Sequence, residues 1–164
     1  MKNRLLIALL LTLGLLGIGC QRSIPSCPLP GPDQAYLKRF LLTAQALPGF
    51  RNKILSQSYQ EIAGPIEEKD KVYILTESWQ QAGQKLNISY HLYPNPEKAE
   101  SSFRTMVSGF PAGFNVKKFP GLWETQSGKI SRIYFQKDRL LFILESDSEP
   151  LVKVTAQKIL RPGR

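Results

Sequence analysis

VYILTESWQQAGQKLNISYHLY, residues 72–93, decides how the rest of the chain folds. Its halves, 72–80 and 85–93, are rich in β-branched and aromatic residues and flank Gln81-Ala82-Gly83-Gln84. That composition reads as two antiparallel strands joined by a turn. In the second half Leu86, Ile88, Tyr90 and Leu92 alternate with Lys85, Asn87, Ser89 and His91. Successive strand side chains point to opposite faces, so the spacing predicts one face against a core and the other, with His91, toward water.

The elements on either side follow from this hairpin. Pro94-Asn95-Pro96-Glu97 is a helix start, with Asn95 as cap and Pro96 in the first turn. Ala99, Phe103, Met106, Val107 and Phe110 then recur at three- and four-residue steps until Gly109 and Pro111. Farther on, residues 130–136 and 139–146 form a second hairpin turning at Lys137-Asp138. Its run Leu140-Leu141-Phe142-Ile143-Leu144 is apolar on both faces, the mark of a strand near the middle of a sheet. Ser148-Glu149-Pro150 opens a third helix carrying Leu151, Val152, Ala156, Ile159 and Leu160.

Upstream, Asp33 is a helix cap before Tyr36, Leu37, Phe40, Leu41, Ala44 and Leu47, with Pro48-Gly49 as the stop. Residues 50–57 fit no single period, 59–63 read as a short strand ending at Gly64-Pro65, and Glu67-Glu68-Lys69-Asp70-Lys71 is a charged turn. Together these predict an α+β fold, one domain over 33–160, with an antiparallel sheet of about five or six strands in two hairpins against three helices. From Val72 to Leu160 the order of helices, strands and aromatic loop resembles compact α/β/α sandwich domains such as the PsbP-like group found on exported lipoproteins. That resemblance implies a fold and carries no site residues.

The first twenty residues give an address. Lys2 and Arg4 precede an apolar run over 5–16, and Gly17-Ile18-Gly19 stand before Cys20. The run is shorter than the roughly 18 residues a membrane span needs, so residues 1–19 read as a signal peptide. The arrangement resembles a bacterial lipoprotein precursor, although Gly17 occupies the aliphatic place of the lipobox and Leu16 stands one position early. The resemblance implies cleavage before Cys20, lipidation of its thiol and a membrane anchor. Residues 20–32, with Pro25, Pro28, Pro30 and Pro32, then read as a tether, and 161–164 as a basic tail. The expected location is the cell envelope outside the cytoplasm, on the outer membrane if the cell has two. Cys27 is left unpaired by lipidation, or closes a small disulfide with Cys20 if lipidation fails.

Loss of Lys2 and Arg4 with the leader lowers the formal net charge from +9 to +7. In the envelope, such a cation meets an envelope protein, anionic lipid or anionic polymer, and the export address argues against nucleic acid. Catalytic signatures are missing. Six residues separate Gly121 from Gly128 where a phosphate loop has four, and Ile130 replaces its Ser or Thr. GxSxG, SxxK and HExxH do not occur. With one histidine there is no multi-histidine metal site, and neither a metal nor a cofactor is expected.

Two functional readings remain. The favoured one is a non-catalytic, membrane-anchored binding module whose site is the segment from Phe110 to Trp123, where Phe110, Phe114, Phe119 and Trp123 alternate with Gly and Pro around Lys117 and Lys118. Rigid rings and positive charge on a loop suit partner recognition. The same rings turned inward would simply cover the end of the sheet. The alternative is an envelope hydrolase built on His91, which requires a carboxylate or hydroxyl within about 3 Å of the imidazole.

Overall fold

The computed structural model describes residues 29–63, 69–110, 115–119 and 122–161, with side chains over 29–60, 71–110 and 122–161. The signal peptide, Cys20, Cys27, most of the tether, Glu67, Glu68 and Phe114 lie outside the described residues.

Seven strands form one antiparallel sheet: β1 (Arg51–Ala63), β2 (Lys69–Gln81), β3 (Gln84–Leu92), β4 (Asn115–Phe119), β5 (Leu122–Ser127), β6 (Ile130–Lys137) and β7 (Leu140–Ser146). Their spatial order is β1-β2-β3-β7-β6-β5-β4. Two meanders, β1 to β3 and β4 to β7, therefore meet along a β3–β7 seam, where Tyr90 stands opposite Phe142. Among the described residues, three helices complete the expected α+β fold: α1 (Gly31–Lys38), α2 (Pro96–Ser108) and α3 (Glu149–Leu160).

The β2–β3 turn is tighter than the four residues expected. Gln81 pairs with Gln84, so only Ala82 and Gly83 turn, both at positive φ of 41° and 84°. Positive φ at both central residues matches the right-handed twist of a hairpin.

Each face of the sheet has its own core. On one, Leu75, Trp79, Leu86, Ile88, Tyr90, Phe135, Phe142 and Leu144 pack beneath α1, the turn after it and α3. The Phe135 and Phe142 rings stack at 4.6 Å, and Phe142 also meets Tyr90 and Phe40 edge-on. Val152, Ala156 and Ile159 of α3 close this layer. On the other face Val72, Ile74, Tyr93 and Leu141 pack with Ala99, Phe103 and Met106 of α2. The face expected to meet water is thus partly covered, which corrects the wet-face assignment made from β3 alone.

Helix α2 starts as read: the Asn95 side chain accepts a hydrogen bond from Lys98 N–H at 2.9 Å. Helix α1 departs from the reading. It begins at Gly31, its cap is Pro30, and Asp33 instead pairs with Arg139 at 2.5 Å. It ends at Lys38, after which Arg39 and Phe40 N–H bond three residues back, to Tyr36 and Leu37 carbonyls. The tightened exit lets both Phe40 and Leu47 reach the core. Among the described residues no helix is long and apolar enough to cross a membrane.

Candidate functional site

Within the segment from Phe110 to Trp123, expected as a loop, the described residues 115–119 and 122–123 lie in two paired strands. Asn115–Phe119 is β4, the edge strand at the opposite end of the sheet from β1, registered with β5 so that Lys117 stands opposite Glu124, Lys118 opposite Trp123 and Phe119 opposite Leu122. Residues 111–114 and 120–121 lie outside the described residues, as do the side chains of Lys117, Lys118 and Phe119. Phe110 and Trp123 come together as the reading requires. Their ring centroids are 6.4 Å apart, and Phe110 lies 5.1 Å from Tyr134 on β6. Both rings are half-buried, so they neither vanish into the core nor stand clear of it. On the same face of the sheet, Arg132 and Glu145 pair across β6 and β7 at 2.6 Å.

The arrangement places a small aromatic platform beside a five-residue edge strand whose outer side has no pairing strand among the described residues. Lysines on such a strand discourage uncontrolled sheet extension.

His91 does not meet the requirement of the hydrolase reading. It stands between Ile74 of β2 and Leu141 of β7 in the register, and no side-chain hydrogen bond joins its imidazole to a described residue. Burial alone pushes its pKa down to about 4, so the ring is neutral near pH 7 without a group to orient it. Among the described residues, no three His, Cys, Asp or Glu side chains gather as a metal site would need.

A second concave feature was not singled out in the sequence. Between α1 and the β1–β2 pair lies a groove of about 300 Å³, walled by Leu37, Leu41, Ile54, Tyr73 and Leu75, with Glu77 also lining it. Glu77 is 4% exposed. Its Oε2 accepts from Trp79 Nε1–H at 3.2 Å and from the Tyr90 hydroxyl at 3.4 Å, while Oε1 accepts from Asn52 at 3.3 Å. Burial first, and then the Glu77 charge, push the Tyr90 phenol well above its ordinary pKa. The available signal was Glu77 itself, an acid on the alternate positions occupied by Tyr73, Leu75 and Trp79.

No family model matches the chain, and no curated protein matches it. Two solved structures show a weak likeness to it. A GTP binding regulator from Thermotoga maritima is 16% identical, with a TM-score of 0.42 over 74% of this chain and 82% of that one. The extracellular domain of PknH from Mycobacterium tuberculosis is 9% identical, with a TM-score of 0.45 over 75% of this chain and 94% of that one.

Proposed function

We propose that the chain is an exported lipoprotein, anchored through acylated Cys20, whose α+β domain binds an anionic partner in the cell envelope along the β4–β5 edge. The address rests on the charged, apolar and small-residue segments ending at Cys20, and the stand-off on the prolines that follow. The binding reading rests on one observation: Phe110 and Trp123 form a half-buried aromatic pair beside the edge strand β4, which carries Lys117 and Lys118. Aromatic rings supply contact area at small entropic cost, and the lysines steer an anionic partner to them.

Mass analysis of the protein from its native membrane tests the address. The expected product begins at Cys20 and carries fatty acyl mass, and Cys20→Ser leaves the protein soluble. Binding is tested by placing a photo-crosslinking residue at position 118 or 123 in intact cells, with exposed Gln157 on α3 as the control position. A discrete adduct from 118 and 123 that is absent from 157 supports the reading. Equal capture from all three removes the β4–β5 edge as the site.

A further inference from the structure

The groove under α1 combines two properties that ordinary packing defects lack. It is concave with five aliphatic side chains in its wall, yet the charged groups Glu77 and Lys38 and two glutamines line it as well. A carboxylate has about four acceptor positions. In Glu77 three are used, all by neutral donors at 3.2 to 3.4 Å, and Oε1 accepts only one of them. The structure gives Glu77 no cationic partner among the described residues. A nearly buried carboxylate held only by long neutral hydrogen bonds is costly unless a positive charge approaches it. Around it, Leu37, Leu41, Ile54 and Leu75 form an apolar wall for the body of an occupant, while Gln34, Gln57 and Tyr73 add polar groups to the lining.

We infer that this groove binds a small amphiphile with a primary ammonium head, its nitrogen paired with Glu77 and its apolar body lying along the α1–β1 cleft. The groove, at about 300 Å³, suits a small single-chain occupant. The exposed Lys38, which also lines the groove, disfavours a second positive charge on the ligand. The β1 bulge between Ile54 and Ser56 shapes the wall, and Ile54 itself is 54% exposed, as a side chain at the lip of an open site would be. This site is separate from the β4–β5 edge, and neither proposal depends on the other.

The chain reports on the groove by itself. Trp79 is 2% exposed and its indole N–H bonds Glu77, so charge pairing at that carboxylate alters its fluorescence. Trp123 is the other tryptophan, and Trp123→Phe leaves Trp79 as the sole emitter. The mature chain from residue 20, unacylated and carrying that substitution, is titrated at pH 7 with n-octylamine, and in parallel with octanoate. The expected result is a saturable change with the amine and at least tenfold weaker response to the carboxylate, since the pairing is charge-assisted. Glu77→Gln preserves the shape, and a flip of the Asn52 amide restores its hydrogen bond, so this variant should fold and lose the amine response by about tenfold or more. Ile54→Lys, at an exposed position, should weaken the amine by repulsion while leaving the circular dichroism spectrum unchanged. An amine response that is not saturable, equal binding of octanoate, or a folded Glu77→Gln protein with undiminished affinity would overturn the assignment.

Discussion

At position 91 a single side chain records how the second face of the sheet is used. The alternation in β3 correctly separated His91 from Leu86, Ile88, Tyr90 and Leu92, but it did not reveal that α2 lies over part of its face. Alternation within one strand tells faces apart and says nothing of what covers each. The consequence is measurable. Burial lowers the folded pKa to about 4, below the ordinary 6.5, so the unfolded chain takes up this proton first as pH falls. Between those values the unfolded state binds more protons, and stability must fall with falling pH. The loss is fully present below pH 4 and amounts to less than about 3 kcal/mol, because the residue is only partly enclosed. Urea unfolding at pH 7.5 and 4.5 should show a drop that His91→Gln reduces, after the contribution common to both proteins is subtracted. The other revealing residue is Ala82, at φ 41° in a position that suits Gly or Asn. Ala82→Gly or Ala82→Asn should raise the urea midpoint, corresponding to about 0.5 to 1 kcal/mol, with no change in the slope of the transition.

Among elements, legibility followed burial. The β2–β3 and β6–β7 hairpins, α2 and α3 each bury a periodic apolar set, and periodicity is what sequence patterns record. The first strand was read only at its end because Arg51–Ala63 is an outer strand; the side chains of residues 51–55 are all exposed, so no two-residue alternation is imposed on them. The Asn115–Phe119 strand is short, outermost and flanked by Gly and Pro, and it read as loop for the same reason. The candidate site inherits this pattern. Its aromatic pair was legible from composition, its strand geometry was not, and the Glu77 groove draws on α1, β1 and β2 with no contiguous motif. Helix α2, whose start was read correctly, carries the element-scale prediction. Asn95 satisfies the Lys98 N–H that would otherwise be an orphan donor at the first turn. Asn95→Ala should therefore lower stability by about 1 kcal/mol in denaturant unfolding, whereas Asn95→Asp should keep most of it.

The arrangement of the whole molecule depends on the last strand in the chain lying fourth of seven in the sheet. Strand β7 is paired on both sides, with β3 of the first meander and β6 of the second, and it has helical layers above and below. Its apolar run from Leu140 to Leu144 made this central place readable, although the partner across the seam was not named by any local pattern. Because the two meanders join only where β3 meets β7, cooperativity between them is carried by that seam and by the helices that bridge it. Phe142 is its densest point, fully buried and in ring contact with Phe40, Tyr90 and Phe135. Removing the ring by Phe142→Ala should cost about 3 to 5 kcal/mol, a large share of the stability of a domain this size. Native-state hydrogen exchange locates the same hierarchy without mutation. Amides of β3 and β7 should open only with global unfolding, while those on the outer sides of β1 and β4 exchange through local fluctuations. If β1 or β4 amides proved as slow as those of β7, the outer strands would be held by something beyond the sheet pairing described, and the picture of two meanders locked at one central seam would have to be abandoned.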